Sequence, residues 1–190
     1  MTIYFVSDTH FGHQKEFLYK KRGFATIEEH DKVVFENIMA VASQDNTLWN
    51  LGDTYMNELS SENRNRLATI ASSFGRANIV PGNHDTPTKM KVLMELGFTV
   101  YSGGNEFKGD CIISHVPVHT CQLESDYNDS GEGRFKFNLH GHLHSGTVPM
   151  MKNGAIVPDP RFRCVSMEQI NNKPISWAEL KQEFIEKRVI

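Results

Sequence analysis

The 190-residue chain contains only three cysteines, and they form no recognisable metal-binding or disulfide pattern. Cys111, Cys121 and Cys164 are odd in number and include no C-x-x-C pair, which is typical of reduced thiols in a cytosol-like compartment. No apolar run approaches the ~20 residues that a membrane-spanning helix needs. The amino terminus leads directly into a strand-like run, so we expect no signal peptide and a cytoplasmic location.

The chain also has no excess of positive charge. The chain has 20 Lys and Arg against 23 Asp and Glu, and its net charge is −3 with neutral histidines. This balance argues against a broad nucleic-acid surface, although a small basic groove would be compatible with it. No internal repeat, low-complexity tract or Pro/Gly/Ser linker divides the chain. We therefore expect one domain over residues 1–190.

Helix starts are signalled at four places. Thr26-x-x-Glu29 and Ser176-x-x-Glu179 have the capping-box pattern, and Thr86-Pro87 combines an N-cap with proline at the first helical position. A further helix is expected from Ser60 or Ser61 to Phe74. The side chains expected to face inward are Met90, Leu93 and Met94 in the helix after Thr86, and Ala178, Leu180, Phe184 and Ile185 in the last helix.

Strands alternate with helices up to about residue 100, and mostly strand-like segments follow. The expected later strands are Phe98–Tyr101, Glu106–Phe107, Asp110–Ser114, Arg134–Leu139 and Phe162–Met167. This change predicts an α/β protein with two packed sheets flanked by helices, not one doubly wound sheet. The polar stretch Thr120–Gly133 is expected to be a flexible loop or an active-site lid.

Five clusters of metal-ligand residue types each follow an apolar, strand-like run. They are Asp8-Thr9-His10, Gly52-Asp53, Gly82-Asn83-His84-Asp85, His115 and Gly141-His142-Leu143-His144. Ligands of α/β folds gather at the carboxyl edge of the sheet, so we expect these clusters to converge there. The candidate ligands are carboxylate, imidazole and carboxamide groups, with no thiolate. This set is typical of a site for Mn²⁺, Fe²⁺ or Zn²⁺ and not of a structural zinc cage.

The number of ligands indicates two ions. The candidate ligands are Asp8, His10, Asp53, Asn83, His115, His142 and His144. Seven are too many for one ion with an open position, whereas two ions that share Asp53 would use them all. Asp8 and His10 would point the same way in an extended segment. The same holds for His142 and His144, unless a turn directs them to different ions.

In this order, the five clusters resemble those of the calcineurin-like metallophosphoesterases, over roughly residues 2–148. The opening Ser7-Asp8-Thr9-His10-Phe11-Gly12-His13 is similar to a small subgroup from bacteria and their phages. The resemblance implies a four-layer α-β-β-α sandwich with two mixed sheets. It also implies the division of ligands: Asp8, His10 and His144 for one ion, Asn83, His115 and His142 for the other, and Asp53 as the bridge. Thr54-Tyr55-Met56-Asn57 lacks a second acidic residue or an arginine found in some relatives, so their substrate contacts are not transferred.

The expected activity is metal-dependent hydrolysis of a small, nucleotide-like phosphodiester or phosphomonoester. Two ions lower the pKa of a bridging water and clamp the phosphoryl oxygens for in-line attack. Manganese is the first expectation, with iron, zinc or nickel as alternatives. We expect His84 to protonate the leaving oxygen and Asp85 to orient His84. His13 is expected to line the site or to form a hydrogen bond with a metal ligand. The alternatives are a nuclease, a protein phosphatase, or a non-catalytic binding module, which the intact ligands and His84 argue against.

Overall fold

The structure is a computed structural model that describes residues 1–123, 134–187 and 189. Its first sheet contains five strands in the order β11-β1-β2-β3-β4. Their bounds are β1 Ile3–Val6, β2 Thr47–Asn50, β3 Arg76–Ile79, β4 Thr99–Val100 and β11 Ile175–Ser176. Strands β1 to β4 are parallel to one another, and β11 is antiparallel to β1. The carboxyl ends of β1, β2 and β3 therefore lie side by side at one edge.

The second sheet contains four strands in the order β10-β7-β6-β5. Their bounds are β5 Asn105–Phe107, β6 Cys111–Ile113, β7 Phe137–His140 and β10 Phe162–Cys164. Strands β6, β7 and β10 are parallel, and β5 is antiparallel to β6. A separate hairpin, which the sequence did not predict, is formed by β8 Pro149–Lys152 and β9 Ala155–Pro158. The predicted architecture of two mixed sheets flanked by helices is confirmed.

The helices are α1 Glu16–Lys21, α2 Ile27–Met39, α3 Ser61–Ser73, α4 Pro87–Glu95 and α5 Trp177–Glu186. Thr86 caps α4 as predicted, and Ser176 with Glu179 forms the complete capping box of α5. The predicted start of α3 at Ser60 or Ser61 is confirmed, with Ser60 as the N-cap. At α2 the box is incomplete, because the Glu29 carboxylate accepts from the amide of Ala25 and not from that of Thr26. None of the helices in the described ranges is both long and apolar enough to cross a membrane.

The two sheets share one continuous apolar core. Phe5 of β1 and Phe107 of β5 meet edge to face with ring centroids 5.3 Å apart, and Phe137 of β7 lies 4.1 Å from Phe184 of α5. Apolar side chains of both sheets are thus buried against each other, and this burial stabilises the packing of one sheet on the other. Because the site is built from the ends of both sheets, this packing positions it.

Two inward faces were predicted incorrectly. In α5, Leu180 and Phe184 are buried as expected, but Ala178 and Ile185 are exposed. In α4, Leu93 is buried but Met94 is 53% exposed. Each of the three misplaced residues is next in sequence to a helix residue that packs on the core, and one helical step rotates a side chain by about 100°. Most of the stretch predicted as a loop or lid, residues 124–133, lies outside the described residues.

Candidate metal centre

The five predicted clusters all lie at the carboxyl edge of the two sheets. Asp8, Asp53 and Asn83 follow β1, β2 and β3, while His115 and His142 follow β6 and β7. The loops contact each other directly: the amide of Asp8 donates to the carbonyl of Gly52 at 2.9 Å. The amide of His142 donates to Asp8 Oδ2 at 2.9 Å and so joins the second sheet to the first. Parallel neighbours bring these loops together, as expected for an α/β fold.

Backbone strain is concentrated at the predicted ligands. Asp8, His10, Asp53, His142 and His144 have left-handed φ angles of 56°, 50°, 53°, 66° and 51°. The other non-glycine residues with positive φ in the described ranges are four asparagines, which tolerate this conformation, and Lys108. Such conformations cost about 1–3 kcal/mol each and persist only where the surroundings impose them. The fold therefore forces sharp turns at the residues that carry the potential ligand atoms.

Asp8, His10 and His144 form the first candidate metal group, with potential ligand atoms within 4.8 Å of one another. Asp8 Oδ2 accepts from the amide of His142 and from Ser166 Oγ at 2.7 Å. Asp8 Oδ1 lies 3.8 Å from His10 Nε2 and 3.9 Å from His144 Nε2. The rings of His10 and His144 stack with centroids 5.3 Å apart.

The first group has the chemistry of a cation site. Asp8 Oδ1 and both ring nitrogens of His10 are buried and have no hydrogen-bond partner within the described part of the chain. Burial, and then the charge of Arg22, lowers the pKa of His10 to about 2, so its imidazole is neutral. Buried polar atoms are normally satisfied, and a divalent cation would satisfy a carboxylate oxygen and a neutral imidazole nitrogen together. These residues therefore fit a metal ion.

Asp53, His115 and His142 form the second candidate group, again within 4.8 Å. Asn83 Oδ1 lies 2.9 Å from both His115 Nε2 and His142 Nδ1, so the fourth predicted ligand is in the same place. The Nδ1 of His115 donates to the carbonyl of Leu51 at 2.7 Å, which leaves Nε2 facing Asp53 Oδ2 at 3.3 Å. Carboxylate, imidazole and carboxamide converge here, and this donor set also fits a divalent cation.

Asp53 lies between the two groups. Burial by itself raises the pKa of Asp53, but the hydrogen bond and charge of His115, together with the hydrogen bond from the His84 amide, lower it to about 2. The carboxylate is thus ionised and lies 3.3 Å from His115 Nε2 of the second group. The backbone carbonyl of Asp53 accepts from the amide of His10, of the first group, at 3.0 Å. This is the position that a ligand shared by two cations would need.

His84 and Asp85 differ in their surroundings. The His84 side chain is 45% exposed, and its Nε2 lies 3.9 Å from Asp53 Oδ2. Asp85 is buried, and its carboxylate accepts from the amides of Gly82, Asp53 and Thr54 at 2.9, 2.7 and 3.3 Å. The expected hydrogen bond from the His84 ring to Asp85 is absent among the described residues. The turn directs Asp85 inward, so its carboxylate holds two ligand loops together instead of orienting His84.

Glycines at two loops permit the close approach of the ligand loops. A Cβ at Gly82 would overlap Asp53 Oδ1 and lie 2.6 Å from the amide nitrogen of Asp53. A Cβ at Gly141 would overlap Ser7 Oγ and lie 2.5 Å from Asp8 Oδ2. Both glycines were part of the sequence clusters, and the structure gives the physical reason for them.

Three buried polar residues near the first group were not found from the sequence. Ser166 donates to Asp8, Glu168 contacts His144, and Arg22 donates to the backbone carbonyl of Asp8. The expected strand Phe162–Met167 ends at Cys164. Ser166 therefore follows β10 at the same sheet edge, and Glu168 lies in the short 3-10 helix Met167–Gln169. The position of Ser166 and Glu168 just after a strand was the sequence signal that could have identified these two residues. His13 lies beside the site as expected, with its ring centroid 5.2 Å from that of His10.

Comparisons with known proteins identify the family of the chain and several relatives. Residues 1–188 match a family model described as calcineurin-like phosphoesterase. An uncharacterised protein of Methanocaldococcus jannaschii is 27% identical over 186 residues, or 97% of this chain and 92% of that protein. The gene 66 protein of Mycobacterium phage L5 is 28% identical over an alignment of 170 residues. The match covers 76% of this chain and 78% of that protein. A crystal structure of a protein of unknown function from Aquifex aeolicus superposes with a TM-score of 0.67 at 27% identity and covers 95% of this chain and 98% of its own.

Proposed function

The chain belongs to the calcineurin-like phosphoesterase family, and from this premise we propose that it is a dinuclear metal-dependent hydrolase of small phosphate esters. The proposed substrates are phosphodiesters or phosphomonoesters, nucleotide-like in size. The protein acts as one domain over residues 1–190, which the continuous apolar core supports. A net charge of −3 favours a small ester over a long nucleic acid. The free thiols of Cys111, Cys121 and Cys164 are compatible with a cytoplasmic location.

The observation that carries the proposal is the pair of ligand groups with Asp53 between them. In the proposed centre, Asp8, His10 and His144 hold one cation, and Asn83, His115 and His142 hold the other. Asp53 binds both. Two such cations supply charge neutralisation for a phosphate ester and a water nucleophile at neutral pH. The oxygen and imidazole donors suit manganese, while iron, zinc and nickel share the same ligand preferences.

His84 is the proposed general acid. Its side chain is 45% exposed and its Nε2 lies 3.9 Å from Asp53 Oδ2, while its backbone amide donates to Asp53 Oδ1 at 2.9 Å. The backbone thus fixes the start of the side chain, and the exposed Nε2 can donate a proton to the leaving oxygen of an ester. Asp85 is proposed to act on catalysis by position: three amide hydrogen bonds let its carboxylate fix the loop that carries Asn83 and His84.

The test is turnover of bis-p-nitrophenyl phosphate and p-nitrophenyl phosphate by metal-free protein to which Mn²⁺ is added back. We expect Mn²⁺-dependent release of nitrophenol from at least one ester, saturating at two ions per chain. A panel of linear and cyclic nucleotides then identifies the preferred class. Protein that binds two ions but turns over none of these esters would contradict the proposal and favour a binding module.

A further inference from the structure

A buried ion pair, Arg22 with Glu168, lies directly behind the first candidate metal group. The guanidinium Nε donates to Glu168 Oε1 at 2.9 Å, and both side chains are almost fully excluded from solvent at 0% and 7% exposure. A buried pair of this kind is weak support for stability, because desolvation offsets most of the attraction. Its contacts with the ligand loops suggest another use.

Glu168 fixes the orientation of His144. Its Oε1 accepts from His144 Nδ1 at 2.9 Å, since a carboxylate that also accepts from Arg22 is ionised and cannot donate. The proton of His144 is therefore on Nδ1, and the lone pair of Nε2 faces Asp8 Oδ1 at 3.9 Å. A carboxylate that accepts from the far nitrogen of a metal-binding histidine sets its tautomer and increases its basicity.

Arg22 fixes the loop that carries Asp8 and His10. Its Nη2 donates to the carbonyl of Asp8 at 2.8 Å. Asp8 is one of the residues with a left-handed φ angle. The Nη1 of Arg22 lies 2.8 Å from His30 Nε2. A guanidinium has no acceptor, so His30 Nε2 accepts and its Nδ1–H donates to Asp31 Oδ1 at 2.9 Å.

The chain of contacts ends on the same loop. Asp31 Oδ2 accepts from the amide of Gly12 at 2.9 Å and from Asn63 Nδ2 at 2.6 Å. The loop of residues 8–12 is thus held at one end by Arg22 and at the other by Asp31. A single buried network sets the conformation of this loop and the orientation of the His144 ring.

We propose that Arg22 and Glu168 are positioning residues for the first metal site, where Glu168 aligns His144 and Arg22 holds Asp8 in its left-handed conformation. This proposal rests on the metal centre proposed above. The two residues act through the proposed ligands, because Glu168 contacts the His144 ring and Arg22 the backbone of Asp8. Their loss should therefore weaken one cation site and leave the other unchanged.

The test is a Mn²⁺ titration followed by the electron paramagnetic resonance of free Mn²⁺, which reports affinity without turnover. In Glu168→Ala, we expect one of the two dissociation constants to rise about 10–100-fold. The other should stay within about three-fold of its wild-type value. Arg22→Lys keeps the charge but not the planar fork, and it should also weaken one site only. Glu183→Ala is the matched control, because it removes a glutamate whose carboxylate pairs with Arg163 at 2.7 Å and with Lys187 at 3.7 Å, neither of which is a proposed ligand.

A double-mutant cycle shows whether Glu168 acts through His144. Added to His144→Ala, the Glu168→Ala change should lower affinity no further; added to His142→Ala, it should keep its full effect. Removing Glu168 leaves the Arg22 charge buried without its partner and can prevent folding. Glu168→Gln is the second variant, since its amide oxygen still accepts from His144, and its affinity should fall by no more than about five-fold.

Three results would overturn the proposal. They are unchanged affinities in folded Glu168→Ala, an equal loss at both sites, and a Glu168 effect that persists in the His144→Ala background. Each can occur in an enzyme that binds two ions and hydrolyses esters, so each leaves the proposed function intact. Absence of saturable metal binding by the wild-type protein would instead overturn the proposed function.

Discussion

The Gly82→Ala substitution is a direct test of the close contact between the ligand loops. The added Cβ would overlap Asp53 Oδ1 and lie 2.6 Å from the Asp53 amide nitrogen and 2.8 Å from its Cγ. Gly82 does not have a left-handed φ, so backbone strain contributes nothing to the effect. The loop can relieve the overlap only by moving away from Asp53.

That movement would stretch the hydrogen bonds that join the loops. The amides of Gly82 and Asp53 both donate to Asp85 Oδ2, and the His84 amide donates to Asp53 Oδ1. Overpacking costs about 1–3 kcal/mol, and loss of one hydrogen bond to a charged group costs about 1.5–3 kcal/mol. The free energy of unfolding should therefore fall by roughly 2.5–6 kcal/mol. For a chain of this size, at about 2–4 °C per kcal/mol, the Tm should fall by about 5–24 °C.

Thermal unfolding without metal measures this cost, and a Mn²⁺ titration measures the effect on the site. Because Asp53 is displaced, both ions should bind more weakly in Gly82→Ala. Gly104→Ala is the control, since its Cβ would lie 3.5 Å from the nearest side-chain atom, an ordinary contact. A Gly82→Ala protein with the Tm and the metal affinities of Gly104→Ala would refute the reasoning.

Three further predictions follow from the site and its surroundings. Replacing His84 with Ala should lower turnover about 10²–10⁴-fold with both ions retained. Replacement of the exposed His119 with Ala is the control, and loss of metal from His84→Ala would contradict the role assigned to His84. Removing metal with EDTA should abolish turnover and lower the Tm, since a cation at 100 times its Kd adds about 2.7 kcal/mol of stability; a Tm that does not respond to added Mn²⁺ would contradict metal binding. Burial by itself raises the pKa of Glu183, but the hydrogen bond and charge of Arg163 lower it below the ordinary 4.5. The ionised carboxylate therefore stabilises the fold above pH 4.5, and this contribution is lost as the pH falls through the lowered pKa. Urea unfolding of Glu183→Gln should accordingly show a loss of about 0.5–1 kcal/mol at pH 7 and a smaller one near pH 3.5, and equal losses at both would argue against the pairing.

The sequence predicted the parts of the fold and site that depend on local signals. Asp8, Asp53 and His115 were predicted to lie at the carboxyl edge because each directly follows a strand-like run. The carboxyl ends of parallel strands meet at one edge of the sheet, so the position in the sequence was sufficient. Helix starts at Ser60, Thr86 and Ser176 were found because a cap is a local pattern. The roles of the ligands in metal binding stay predictions until the titrations are done.

Features that depend on long-range contacts could not be predicted. Glu168 and Arg22 are 146 positions apart and belong to no motif, so only the folded chain brings them to His144. The inward direction of Asp85 depends on a tight turn whose side-chain orientation no spacing rule gives. Helix α1 has only six residues, too few for an apolar period to be visible in the sequence.

The central claim is that two cations share the Asp53 carboxylate. Crystals grown with Mn²⁺ and measured at the manganese absorption edge locate the ions directly by anomalous scattering. The account predicts two peaks about 3.5–4 Å apart, one against Asp8, His10 and His144 and the other against Asn83, His115 and His142, with Asp53 in contact with both. A single peak, or two peaks of which Asp53 touches only one, would contradict it.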